Sequence, residues 1–272
     1  MRTVRLPVDD EILEYDVEGE TTYGGDAVLL DRDDDLIAGT AFAEAGFTVV
    51  PFLPPALYQT LVDGIRRLLS VAVQRVWPAA PADFTLERYH RVVSDEEHMR
   101  LVRETGLNWP NEDLPIPVAR VEQRISEILG IETVAINPSL DRQRFQLRVV
   151  RPGKTDNNPP HRDVWLDRLR DAVNIYVPLA GSSDRSSLPI VPGSHRWRES
   201  DIERTSAGAV VGGIRYTVPA VTGARRPLRL VRPRVRANEV MVFTPYAIHG
   251  GGANFSVDTT RVSLETRFWR RR

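Results

Sequence analysis

From Thr133 onward the chain breaks into short β-rich runs separated by Pro, Gly, Ser and Asn, and this texture limits the fold more than any other feature. The runs are Thr133–Ile136, Gln143–Val150, Ala172–Leu179, Leu188–Val191, Val210–Val218, Leu228–Val231, Glu239–Phe243 and Val262–Trp269. Branched and aromatic residues in runs this short, with turn chemistry between them, predict the strands of a sandwich or barrel. They argue against a doubly wound α/β sheet.

Ahead of this region the pattern is helical. Leu57, Leu61, Ile65, Leu68, Ala72 and Val76 recur at three- and four-residue steps, with Pro54-Pro55 at the start and Pro78 at the end. That spacing predicts a helix over Pro55–Val76 with one buried face. Ser94 with Glu97 forms a capping-box signature, and Gly106 is placed to stop the short helix it opens. A third helix is expected over Pro117–Leu129, with Val118, Val121, Ile125 and Ile128 on one side and Gly130 as its stop. These helices are expected to cover one outer face of the sheet. The first 35 residues are acidic, with "YGGD" and "DRDDD", and are expected to form an irregular arm or a short hairpin. Without repeats or a low-complexity linker, the whole of 1–272 reads as one domain: an arm over 1–40, a helical part over 41–130 and a β core over 131–272.

Composition narrows the chemistry. With 36 basic and 37 acidic residues the formal net charge is -1, which recommends neither nucleic acid nor an anionic membrane and leaves a small molecule as the expected partner. Cysteine is absent, so disulfides, thiolate metal sites and cysteine nucleophiles are excluded and any metal must be held by His, Asp or Glu. Neither a signal-peptide pattern nor a long apolar span is visible, and a cytoplasmic, soluble protein is expected. Nothing in the sequence encodes an oligomeric state.

In "NNPPHRDVWLD", His161 and Asp163 lie two apart, so in an extended segment their side chains point the same way and Arg162 points oppositely. Such a pair offers two ligands to one ion, although a loop histidine beside a capping aspartate has the same sequence. Of the five histidines, His249 in "EVMVFTPYAIHGGGAN" is the best third ligand, because it follows a strand and a turn and precedes an uncrowded glycine run. Two histidines and one carboxylate leave open positions on a metal, as in non-haem Fe(II) oxygenases. If 2-oxoglutarate is the co-substrate, its far carboxylate needs a cation, preferably an arginine. Arg261 lies 12 residues after His249, and Ser263 shares its strand face and could add a hydrogen bond. Arg267 shares that face as the competitor, with a solvated terminal charge as its other reading, like that of the Arg270-Arg271-Arg272 tail.

The motifs "HRDVW", "SSLPIVPGSHRW", "NEVMVFTPYAIHGGGAN" and "TRVSLETRFW", in this order, resemble the phytanoyl-CoA dioxygenase family of Fe(II)- and 2-oxoglutarate-dependent oxygenases. "AEAGFTVVPFLPPALYQTLVDGIRRLL" extends the likeness to roughly residues 42 to 269 and leaves 1 to 40 outside. The resemblance implies a mainly β fold with flanking α-helices, a double-stranded β-helix or cupin-like jelly roll. It implies His161, Asp163 and His249 as iron ligands, Arg261 as the 2-oxoglutarate anchor, Asn174 near the co-substrate, and O2 as oxidant. Ser186-Ser187 departs from the glycine-containing turn usual in the family, which affects a turn and not the metal centre. Because halogenating relatives replace the carboxylate with a small residue, an intact Asp163 points to hydroxylation or another oxidation and away from halogenation.

The expected reaction is therefore hydroxylation of an unactivated C–H of a small molecule (a natural product, amino acid or sugar), with release of succinate and CO2. The rivals are a cupin-type metal-dependent isomerase or hydrolase without 2-oxoglutarate, and a non-catalytic jelly-roll binding module. Trp165 and Tyr246, which flank the ligand motifs, are candidates for the pocket mouth, and Gln146 and Arg148, on the strand face opposite Phe145 and Leu147, for contact with co-substrate or substrate. His195 reads as a structural hydrogen-bonding residue, and His90 and His98 as surface residues.

Overall fold

A computed structural model describes the chain except residues 31, 32, 34, 139, 141–143, 156, 157, 212, 213 and 272. Much of "DRDDD", the expected strand start at Gln143, the middle of the Val210–Val218 run and Arg272 therefore lie outside the described residues.

The chain opens with a hairpin of β1 (Arg2–Val8) and β2 (Glu11–Glu18), paired antiparallel from Arg2 opposite Val17 to Val8 opposite Glu11. Of the two forms expected for the N-terminal segment, the hairpin is the one present. Its alternation sends Val4, Leu6, Val8, Leu13, Tyr15 and Val17 into a core shared with Ile202, Val221 and Ile248. Next come β3 (Thr21–Tyr23), β4 (Phe47–Pro51), α1 (Pro55–Val76), α2 (Tyr89–Val92), α3 (Asp95–Thr105), β5 (Asn108–Pro110), α4 (Val118–Leu129) and β6 (Thr133–Val134). They are followed by β7 (Arg144–Val150), β8 (Ala172–Ala180), β9 (Ile202–Thr205), β10 (Ala209–Val211), β11 (Ile214–Tyr216), β12 (Val221–Ala224), β13 (Glu239–Phe243) and β14 (Arg261–Arg270).

The large sheet runs β4-β13-β8-β14-β7-β5, with β6 attached to β14, and all its pairings are antiparallel. Two smaller sheets, β1-β2-β10-β11 and β12-β9-β3, complete a jelly roll. Period-two alternation divides the central strands. Val173, Ile175, Val177 and Leu179 of β8 and Leu264 and Phe268 of β14 share an apolar core with Leu61, Ile65 and Leu69 of α1. Each such side chain contributes about 1.5–3 kcal/mol on burial, so the helices are held on the outer face as expected. The alternate residues, including Asn174, Tyr176, Glu265 and Arg267, are left for the interior of the roll.

Helix ends follow the sequence signals. The Ser94–Glu97 box is closed by backbone-to-side-chain bonds of 2.8 and 3.3 Å. Gly106 and Gly130 end α3 and α4 with φ of 62° and 70°, a region that favours glycine. Two expected strands are corrected. Leu188–Val191 and Leu228–Val231 make only isolated bridges, Ile190 with Val231 and His249, and Leu230 with Val8. Pro189 and Pro192 bracket Ile190-Val191 and cannot donate to a ladder. Among the described residues, no helix is long and apolar enough to cross a membrane.

Candidate active site

The two ligand-bearing segments are joined by their backbones. His161 N–H donates to His249 O at 2.9 Å and His249 N–H donates to His161 O at 3.0 Å, bringing the ring centroids to 4.6 Å. Gly250, at φ 110°, lies so close that a Cβ there would come within 2.7 Å of Pro159 O and 3.1 Å of His161 Nδ1. The glycine run thus permits the approach of the two segments. From behind, Leu13 of the N-terminal hairpin packs against Gly251, where a Cβ would collide with it.

Hydrogen bonds set the direction of each ligand. His161 Nδ1 lies 2.7 Å from Pro159 O and His249 Nδ1 lies 3.0 Å from Ala247 O, so each ring carries its proton on Nδ1 and turns its Nε2 lone pair inward. Asp163 Oδ1 lies 3.2 Å from His161 Nε2, and Asp163 Oδ2 lies 3.9 Å from His249 Nε2. All three side chains are buried, and their ligand atoms fall within 4.8 Å of one another. Burial works against the Asp163 charge, but Arg267, His161 and His249 outweigh it and hold the carboxyl well below the usual range. Burial, then the neighbouring His161, lowers His249 to about 4, so its ring is neutral at pH 7. Three acceptor atoms therefore converge, an arrangement that calls for a shared proton or a metal ion. Neutral imidazoles and an ionised carboxylate are the forms that bind a metal, so the residues present fit a divalent ion.

The other Asp163 oxygen is already engaged. Oδ2 accepts from Asn174 Nδ2 at 2.8 Å and from Arg267 Nε and Nη2 at 3.0 and 2.7 Å. These groups orient the carboxylate and leave Oδ1 beside His161 Nε2.

A cavity of about 900 Å³ contains the triad, with Gln146, Arg148, Asn174, Glu265, Arg267 and Trp269 among its lining residues. Arg261 does not line it. Its guanidinium is fully buried at the start of β14, with Cζ 5.8 Å from the centroid of Tyr176, and Gly252 leaves room beside it. Ser263 Oγ donates to Glu265 Oε1 at 3.4 Å, and Arg148 Nε donates to Glu265 Oε2 at 3.2 Å. Trp165 faces away from the triad, donating from Nε1 to Glu199 Oε2 at 2.8 Å, and lines a separate cavity of about 690 Å³. Tyr246 is fully buried and lines neither cavity.

His195 Nε2 lies 3.0 Å from Ala43 O, and burial lowers its pKa to about 4. His98 is buried against the Tyr89 hydroxyl at 3.0 Å, which corrects its expected surface position: α3 turns it onto α2. His90 is half-buried, 2.8 Å from Thr260 Oγ1 and 2.9 Å from Asp258 Oδ1. Glu265 and Trp269 are cavity residues that the sequence reading passed over. Their signal was the strand period that already linked Arg261, Ser263 and Arg267.

A jelly roll carrying two histidines and a carboxylate defines the class, non-haem Fe(II) oxygenases with open metal positions. The family model for phytanoyl-CoA dioxygenase (PhyH) matches residues 42–262, and the chain belongs to that family. It is an Fe(II)- and 2-oxoglutarate-dependent oxygenase, with O2 as the oxidant. Among solved structures it is similar to AviO1 from Streptomyces viridochromogenes Tue57, at 18% identity over 89% of this chain and 96% of that one, with a TM-score of 0.50. It is also similar to EctD from S. alaskensis with 2-oxoglutarate and 5-hydroxyectoine, at 16% identity over 99% of this chain and 84% of that one, with a TM-score of 0.49. No curated protein matches the sequence at a significant level.

Proposed function

We propose that the protein hydroxylates an unactivated C–H bond of a small molecule, converting 2-oxoglutarate and O2 to succinate and CO2. The observation that carries this reading is the convergence of His161 Nε2, His249 Nε2 and the Asp163 carboxylate in a cavity of about 900 Å³. These three residues would hold the iron, which supplies the redox centre that O2 chemistry requires.

The chain's own residues arrange the rest. Backbone carbonyls of Pro159 and Ala247 fix the two rings, and Asn174 and Arg267 fix the carboxylate. An Asp at position 163 favours hydroxylation over halogenation, since it occupies the ligand position that chloride would need. Arg261 is the proposed anchor for the far carboxylate of 2-oxoglutarate. The reading is supported by its full burial and by its place on the strand face that continues through Ser263, Glu265 and Arg267. Away from water, a guanidinium grips a carboxylate with two charge-assisted bonds. Arg267 is the weaker candidate because its guanidinium is committed to Asp163.

Anaerobic titration with Fe(II) and then 2-oxoglutarate tests the reading. A weak visible charge-transfer band is expected, and its absence from folded protein overturns the proposal. Arg261→Ala is expected to keep iron and weaken 2-oxoglutarate, whereas Arg267→Ala should weaken iron first. The reverse pattern would move the anchor to Arg267.

A further inference from the structure

Among the described residues, four arginines, Arg144, Arg148, Arg168 and Arg267, line the triad's cavity, against two acidic residues, Asp163 and Glu265. Both carboxylates have an arginine: Arg267 lies 2.7 Å from Asp163 and Arg148 lies 3.2 Å from Glu265. Arg144 and Arg168 have no ion-pair partner among the described residues. They reach the cavity from separate segments, the start of β7 and the turn Asp167–Leu169 just past the His161-Asp163 motif, and both are exposed.

Among the described lining residues the charges come to four positive less two negative, an excess of two. A divalent iron and a dianionic 2-oxoglutarate cancel each other, so the excess persists in the loaded site. It is local, because the whole chain carries a formal net charge of -1. Two unmatched guanidiniums at the exposed end of a cavity attract an anion and hold it by charge-assisted bonds. Beside them, Leu140, Leu166, Leu169 and Trp269 offer an apolar wall to the remainder of a ligand.

We propose that the substrate carries an anionic group, a carboxylate or a phosphate, which Arg144 and Arg168 bind at the cavity mouth while the apolar wall seats its hydrocarbon part. This assignment rests on the oxygenase reading of the same cavity. Arg144 and Arg168 are then specificity residues.

The test uses the anaerobic enzyme loaded with Fe(II) and 2-oxoglutarate, with the charge-transfer band recorded first, so that failure of the oxygenase reading shows separately as a missing band. Calorimetric titrations then compare octanoate with octanamide, phenylacetate with phenylacetamide, and phenyl phosphate with phenol. The anionic member is expected to bind about tenfold or more tightly, the scale of one or two charge-assisted hydrogen bonds. Whether the acids or the phosphate bind better identifies the anion. Arg144→Gln combined with Arg168→Gln should remove this preference and leave the band and the 2-oxoglutarate affinity unchanged. Independently of any variant, wild-type affinity for the anion should fall with added NaCl while affinity for its neutral partner holds. The proposal is overturned if neutral and anionic members bind alike, if no anion binds, or if the preference survives the double substitution. It is also overturned if the double substitution weakens 2-oxoglutarate, because the two arginines then serve the co-substrate.

Discussion

The segment from His161 to Trp165 has two buried, charged sides that behave in opposite ways. On one side Arg162 Nη1 donates to Glu199 Oε1 at 2.5 Å, Trp165 Nε1 donates to Glu199 Oε2 at 2.8 Å, and Arg204 lies 3.3 Å from the same carboxylate. Arg162 also donates to the backbone oxygen of Ser194. Burial lowers the Arg162 pKa to about 10, and Glu199 opposes the shift and keeps the residue charged. On the other side, His161 and Asp163 turn acceptors toward His249, another acceptor. Donors gathered on a carboxylate complete a fold, whereas acceptors collected around a common point await a cation. Burial and charge alone do not separate structure from function; complementarity does.

Substitutions on the two sides should therefore fail differently. The largest effect belongs to His161→Ala, expected to abolish iron binding at concentrations that saturate the parent, read from the charge-transfer band, with little change in thermal melting. A large loss of folding in that variant would break the comparison. Glu199→Ala leaves Arg162 buried without its carboxylate and should lower stability by about 3–5 kcal/mol in denaturant melts. Its folded fraction should still bind iron, and a loss of iron affinity in that fraction would join the two sides that the comparison separates.

A third test follows from His195, another buried polar residue on the structural side. Its folded pKa of about 4 lies below the ordinary 6.5, so the unfolded chain takes up a proton that the folded chain refuses. Stability should fall as pH drops from about 6.5 to about 4 and level off below, by at most about 3 kcal/mol from this residue. His249 shifts the same way, so the measurement is the difference between metal-free parent and His195→Gln, whose pH profile should be the flatter. The smallest effect sharpens the site itself. Asn174→Ala removes one donor to Asp163 Oδ2 and should weaken iron about 10- to 100-fold without a comparable loss of stability.

Local patterns made much of this architecture legible. The limits of α1, the capping box of α3, the glycine stops and β13 all follow from spacing, because helix and strand periods are properties of neighbouring residues. The N-terminal hairpin was equally legible in the alternation of Val4, Leu6 and Val8 with Leu13, Tyr15 and Val17, but its acidic outer face and the charged stretch after it hid the period. Leu188–Val191 misled in the other direction, since its composition suits a strand while its prolines prevent a ladder. Trp165 and Tyr246 adjoin ligand motifs in sequence and yet do not line the triad's cavity. Adjacency along a chain does not by itself place a side chain in a shared cavity.

By itself the sequence determined that any metal would be held by His, Asp or Glu, that His161 and Asp163 would share a side, and that a β framework would carry them. Only the tertiary structure decided which partners each side meets. Glu199 lies 37 positions from Arg162, and Arg267 lies 104 from Asp163. The covalent chain fixes where neighbouring side chains point, but whether a buried charge is satisfied depends on partners that only folding brings within hydrogen-bonding distance.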